Sequence, residues 1–247
     1  MIDLINQHKT IRKYKNIPVE DKILDKILEA GSRASTTGNM QVYSIVVTKN
    51  IERKKKLWEL HFKQDMVLQA PVLLTFCADF NRFSKWCELR EAAPGYDNFL
   101  SFFTAAIDAL LVSQNVALAA EAEGLGICYL GTTTYTVDKI IEFLECPPLV
   151  VPVTTLVVGY PDETPGLTDR LPLKAVIHYE KYLDYSDNSI NDIYSEKENL
   201  PFTKELLKIN DLPNLAKIFT EKRYTRKDNE YFSKVFIDVL TKQGYLK

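Results

Sequence analysis

Eight residues near the N-terminus, His8-Lys9-Thr10-Ile11-Arg12-Lys13-Tyr14-Lys15, combine five basic or imidazole groups with the Thr10 hydroxyl. Cationic side chains and a hydroxyl converging from one short segment suit a phosphate monoester, because charge-assisted hydrogen bonds to phosphate oxygens are the strong ones. A second polar group, Ser35-Thr36-Thr37-Gly38-Asn39, offers hydroxyls, a flexible glycine and an amide. A third, Gly124-Leu125-Gly126-Ile127-Cys128-Tyr129-Leu130-Gly131, places glycines around a short apolar run. There a flat ligand could approach the backbone closely. Arg170, in Asp169-Arg170-Leu171-Pro172, is a fourth candidate. Each feature also has a plain structural reading: a solvated basic stretch, a turn, a helix cap, a surface arginine. Their order along one chain is what makes them informative.

Several chemistries are absent. The chain has no HExxH, GxSxG or P-loop pattern. Gly124, Gly126 and Gly131 do not form a dinucleotide fingerprint, since the place of the third glycine of GxGxxG is taken by Tyr129 and the glycines follow a helix pattern rather than a strand. His8, His61 and His178 lie far apart, and Cys77, Cys87, Cys128 and Cys146 contain no CxxC pair, so no metal site is expected. The cysteines read as free thiols of a reducing compartment, and the first residues lack a signal-peptide core, so a cytoplasmic location is expected. The balance of 31 basic and 33 acidic residues speaks against a nucleic-acid partner. Residues 102–120 are apolar with Asp108 as the single charge. Asp108, Ser113, Gln114 and Asn115 near the middle point to a core or interface helix rather than a membrane span.

The elements that must position these residues follow from periodicity. Helices are expected within residues 1–34, the second opened by Pro18, with Ile23, Leu24, Ile27 and Leu28 on one face. Strands are expected at 42–48, 72–79, 126–130 and 150–158. A charged helix is expected over 50–69 and a mixed, aromatic connection over 80–100. A long apolar helix follows over about 99–123, stopped at Gly124, and another over 136–145 with Thr136 at its N-cap. Residues 1–180 read as the body. Residues 181–247 read as a polar extension with helices at 203–220 and 228–243, packing on the body or on a partner subunit. Irregular alternation of strands and helices gives an α+β or three-layer architecture.

The chain resembles the nitroreductase family, and most closely its larger NADPH-preferring nitroreductase and flavin-reductase members. The resemblance rests on His8-Lys9-Thr10-Ile11-Arg12, Arg33-Ala34-Ser35 leading to Asn39-Met40-Gln41, Gln64, and Gln69-Ala70-Pro71. It continues through the run Phe76 to Arg82, then Gly124-Leu125-Gly126, Tyr129-Leu130-Gly131 and Val158-Gly159-Tyr160-Pro161, and on to Arg170-Leu171-Pro172 and Lys242-Gln243-Gly244. It implies an α+β fold, a mixed and mainly antiparallel sheet flanked by helices, in an intertwined homodimer with a C-terminal extension. It implies FMN at each of two interfacial sites, with NADPH, or NADH, as hydride donor. The two electrons would then pass to nitroaromatics, quinones or free flavin.

Carried over by position, His8, Lys9 and Thr10 would meet the FMN phosphate or ribityl chain and Arg12 the pyrimidine edge. Ser35, Thr36, Thr37 and Gln41 would come from the partner subunit. Gln64 would approach the ring, Tyr129, Leu130 and Gly131 would line it, and Arg170 would return to the phosphate. Arg223, Arg226 and Lys227 would be candidates for the NADPH 2′-phosphate. The flavin carries the chemistry, so no side chain is expected to be a catalytic acid or base. The chain departs from the family pattern at Lys9-Thr10 in place of arginine and serine, at Thr132 in place of a second glycine, at Thr168 in place of a lysine, and in a serine-rich loop one residue shorter. Two other readings compete: a non-catalytic FMN-binding or regulatory protein, and a specialised dehalogenase or flavin-breakdown enzyme whose substrate cover would be the 80–100 connection with Trp86, Tyr96 and Phe99.

Overall fold

The computed structural model describes residues 1–247, which divide into two compact units. One comprises Met1–Gly166 with Phe232–Lys247; the other is Leu167–Tyr231. The boundary therefore lies before, not at, residue 180, and the end of the chain belongs with the first unit.

The first unit is built on four strands, β1 (Tyr43–Thr48), β2 (Val72–Asp79), β3 (Gly126–Leu130) and β4 (Val150–Gly159), in the order β1-β2-β4-β3. All three strand pairings are antiparallel. The architecture is the expected α+β one, and all four strands lie where apolar runs placed them. The parallel element is a single bridge between Thr10 and Ile127. Side chains alternate across the sheet, as strand geometry requires. Val72, Leu74, Phe76, Leu156 and Val158 enter one core with helices α2 (Asp21–Ser32) and α6 (Phe99–Ala122). Leu73 and Val157 enter another on the opposite face with Leu57, Met66, Val67, Ile11 and Leu130. The sheet is thus the middle of three layers.

Helix α1 spans Ile2–Asn6, and α2 starts three residues after Pro18 rather than at it. The charged helix expected over 50–69 is two helices, α3 (Ile51–Leu60) and α4 (Met66–Gln69). Asn50 caps α3, its Oδ1 accepting from the backbone N–H groups of Glu52 and Arg53. The break carries two successive non-glycine residues of positive φ, Phe62 (55°) and Lys63 (56°). The connection over 80–100 contains helix α5 (Asn81–Glu88), and Phe80 stacks on Tyr96 at 4.7 Å.

Helix α6 is the one helix long and apolar enough to cross a membrane by length and composition. Its buried face supplies Ala109, Val112, Val116 and Ala120 to the core, and Asp108 is fully buried. Its end is as expected: Gly124 adopts φ 75° and Leu125 N–H donates to Ala120 O at 2.9 Å. Helix α7 (Val137–Leu144) has Thr136 at its N-cap position, but the Thr136 hydroxyl does not cap it. It donates to Leu60 O at 2.9 Å, tying the end of α3 to this segment.

In the second unit, helices α8 (Asp187–Asn199), α9 (Pro201–Asn210) and α10 (Leu215–Lys217) lead into a wide turn at Ile218–Arg223. The single helix expected over 203–220 is interrupted at Asp211, whose φ is 51°. Helix α8 was not expected, because few apolar residues mark it. Helix α11 (Arg226–Lys242) carries Val239 and Leu240 into a third cluster with Phe80, Phe102 and Tyr245.

Candidate functional site

The basic segment is held as an extended edge beside β3 and the end of β4. Ile11 N–H donates to Ile127 O at 2.9 Å, and Lys15 N–H donates to Tyr160 O at 2.9 Å. Gly126 makes this possible, since a Cβ there would lie 2.6 Å from Ile11 Cγ1. Buried Tyr14 locks the segment by donating its hydroxyl to Ile11 O at 2.7 Å. The segment is therefore pinned at two points: Ile11 and Tyr14 are core, while Lys9, Thr10, Arg12 and Lys13 remain partly or fully exposed. None of these three cations forms an ion pair within the chain. The backbone N–H groups of Arg12 and Lys13 both donate to Glu163 Oε1. His8 Nδ1 lies 2.6 Å from Glu121 Oε1 at the end of α6.

Arg12 also acts on β3. Burial holds the Cys128 thiol above its ordinary pKa, and the Arg12 charge opposes that rise. Tyr129, raised by burial, donates to Ser113 Oγ at 3.2 Å, which fixes its ring against α6. Leu130 is buried, and the turn that follows is anchored to the centre of the sheet. Thr133 Oγ1 donates to Leu130 O at 2.9 Å and to Thr155 Oγ1 at 3.0 Å. Gly131 itself is exposed, and a Cβ there would meet nothing within 4 Å.

Gln64 is joined to this turn by a residue that sequence reasoning left aside as a scattered histidine. His61 is fully buried at the end of α3, and its Nδ1 lies 2.8 Å from Thr132 Oγ1. Gln64 Nε2 donates to His61 O at 3.0 Å and to Thr132 Oγ1 at 3.2 Å. Beside them Tyr135 stacks on Phe232 at 4.4 Å, and Phe62, half-exposed, lies 6.3 Å from Tyr135. His8, Lys9, Thr10 and Arg12 are thus carried by the segment beside β3, Tyr129, Leu130 and Gly131 by β3 and the turn after it, and Gln64 reaches that turn from the loop between α3 and α4.

The loop Ser35–Gln41 lies elsewhere. Thr37 N–H donates to Asp108 Oδ1 at 2.9 Å, and Val42 N–H donates to Asp108 Oδ2 at 3.4 Å. Gly38, Asn39 and Gln41 all have positive φ, and Arg82 donates to Gln41 O. His8 meets α6 at Glu121 and the loop meets it at Asp108. At about 1.5 Å per residue these anchor points are roughly 20 Å apart along the helix. One chain therefore does not bring Ser35, Thr36, Thr37 and Gln41 to its own His8 end.

The remaining candidates belong to the second unit. Arg170 Nη1 donates to Thr168 Oγ1 at 2.7 Å and to Asp169 O at 2.9 Å, so the threonine that departs from the family pattern is itself the arginine's partner. Arg223 sits over the Phe219 ring at 5.8 Å, Arg226 pairs with Glu230 at 2.7 Å, and Lys227 is exposed. No group of three or more His, Cys, Asp or Glu residues could hold a metal ion.

The first unit is thus a three-layer α+β fold with an unpaired basic segment beside β3, the glycine-flanked strand at one end of the sheet. A model of the Nitroreductase family matches residues 5–160. The chain belongs to that family. It is similar over 210 residues (32% identity; 80% of this chain, 84% of the other) to the FMN reductase (NADPH) of Bacillus subtilis (strain 168). It is 37% identical over 189 residues, 76% of each chain, to the FMN reductase [NAD(P)H] of the same organism. The crystal structure of a Bacteroides fragilis NCTC 9343 protein superposes with a TM-score of 0.98 at 49% identity, covering 99% of this chain and 100% of that one.

Proposed function

We propose that this chain is an FMN-dependent oxidoreductase that passes two electrons from NADPH to nitroaromatics, quinones or free flavin. The observation that carries the reading is the basic edge: Lys9, Arg12 and Lys13 are free of ion pairs on a segment bridged to β3 at Ile127, and β3 leads into the open backbone at Gly131. That donor set fits the cofactor, with cations and a hydroxyl for one phosphate monoester and an open glycine, Gly131, for one flat ring. When bound, FMN supplies the redox chemistry, accepting hydride from the nicotinamide and returning electrons to the acceptor.

The chain's own residues bind and tune. Lys9, Thr10 and His8 hold the phosphate and ribityl chain, with Arg170 as a further phosphate contact. The Arg12 guanidinium offsets negative charge at the pyrimidine edge. Gln64, Tyr129, Leu130 and Gly131 line the ring. Ser35, Thr36, Thr37 and Gln41 complete the site of a partner subunit, which accounts for their distance from His8 along α6.

The partner is a second copy of the chain. Leu100, Phe103, Ile107, Leu110 and Leu111 of α6 recur at helical spacing and are 40–71% exposed. An apolar stripe of that kind marks an interface. We place the protein in the cytoplasm, as its four free cysteines suit. The test is fluorescence titration with FMN combined with sedimentation. One FMN per chain of a dimer is the expected result. A monomer that leaves FMN fluorescence unquenched rejects the reading.

A further inference from the structure

His61 is fully buried, its Nε2 has no hydrogen-bond partner, and burial lowers its pKa to about 4, so the ring is neutral. A neutral imidazole carries one proton, and the network decides which nitrogen holds it. If Nε2 held it, a buried N–H would lack any acceptor, the costlier of the two defects. With the proton on Nδ1, His61 donates to Thr132 Oγ1, and Nε2 is merely a bare lone pair. Thr132 Oγ1 then accepts twice, from His61 and from Gln64 Nε2. Its own proton is left uncommitted. The Gln64 amide is fixed as well, because the group facing the His61 carbonyl must be the NH2. Gln64 Oε1 therefore points away from both partners and is free to accept.

We propose that His61 is a positioning residue of the ring site, which by donating to Thr132 presents two open valences to the bound flavin, the Thr132 hydroxyl as donor and Gln64 Oε1 as acceptor. The proposal rests on the flavin reading above and names two residues of this chain, His61 and Thr132, that act together. Adjacent donor and acceptor groups are the complement of the carbonyl and N–H groups that alternate along the pyrimidine edge of a flavin. The left-handed backbone at Phe62 and Lys63 is the turn by which α3 ends with His61 inside and Gln64 facing the Gly131 turn. The position is fastened a second time where the Thr136 hydroxyl donates to Leu60 O.

The test is the FMN dissociation constant and thermal midpoint of the full chain and four variants. His61→Leu keeps volume and removes the donor and the orphaned nitrogen. It is expected to melt no lower than the unaltered chain and to bind FMN about fivefold more weakly, the size of one lost hydrogen bond. Thr132→Val is expected to show the same loss, and the double variant no more than either single one, because all three remove one network. His61→Asn, whose amide nitrogen reproduces the Nδ1 donor, is expected to restore affinity. Unchanged FMN affinity in His61→Leu overturns the proposal while leaving the flavin reading standing. If His61→Leu fails to fold, unchanged affinity in Thr132→Val does the same. Failure of the unaltered chain to bind FMN overturns both.

Discussion

Asp108, the one charge in the apolar stretch of α6, is fully buried and accepts hydrogen bonds from the backbone N–H groups of both Thr37 and Val42. Its carboxylate fixes the loop that the proposed dimer would share between sites. Asp108→Ala leaves two N–H groups without an acceptor in a desolvated place. The expected loss is about 3 kcal/mol in urea unfolding, since an abandoned buried partner costs more than the bond is worth. Asp108→Asn is expected to lose less, retaining one acceptor oxygen. A loss under about 0.5 kcal/mol in the alanine variant, the scale of a neutral surface change, removes the anchoring role.

Two glycines separate packing from ligand space. A Cβ at Gly126 would press on Ile11 at 2.6 Å, so Gly126→Ala is expected to displace the basic edge. The variant should lose about 1–3 kcal/mol of stability, the usual cost of overpacking, together with FMN affinity. A Cβ at Gly131 meets nothing. Gly131→Ala should therefore keep its melting temperature and lose FMN affinity, because the methyl group enters the space assigned to the ring. Equal FMN binding by Gly131→Ala and the unaltered chain places the ring elsewhere.

His61 gives a pH dependence of stability with a definite sign. Burial lowers its pKa from 6.5 to about 4. Between those values the unfolded chain binds a proton that the folded chain refuses. Stability contributed by the neutral ring is thus present above 6.5 and lost as pH falls toward 4. The full difference amounts to about 3 kcal/mol. Unfolding free energies measured across that window should fall on acidification in the unaltered chain, and less steeply in His61→Leu. Identical slopes contradict a buried neutral imidazole.

Much of this was legible in the sequence. Continuous apolar runs located all four strands, and Gly124 marked the end of α6. The basic edge and the glycine-flanked strand were singled out because their residue types are unusual in combination, whereas Gln64 came only from the family resemblance. The misses share a cause: local sequence carried no signal for them. The break between α3 and α4 uses Phe62 and Lys63 in left-handed backbone, where no glycine or proline announces a turn. The interruption at Asp211 is of the same kind. Helix α8 is too polar to show a stripe. His61 looked like a lone histidine because its partner, Thr132, lies seventy-one residues away in sequence.

The second unit supplies a coenzyme prediction. Arg223 and Arg226 are exposed, their local partners a ring and one glutamate. Replacing both by alanine is expected to raise KM for NADPH about tenfold, the size of a lost charge-assisted contact, and to leave KM for NADH unchanged. Equal changes for the two coenzymes contradict a 2′-phosphate role.

The most direct measurement is the visible absorption spectrum of the FMN-loaded protein, recorded anaerobically before and after NADPH, with NADH in parallel. A flavin spectrum that bleaches on addition, faster with NADPH than with NADH, and returns when a quinone is admitted, is the predicted result. A bound flavin that stays oxidised with both coenzymes would contradict the account and leave a binding protein without the oxidoreductase chemistry.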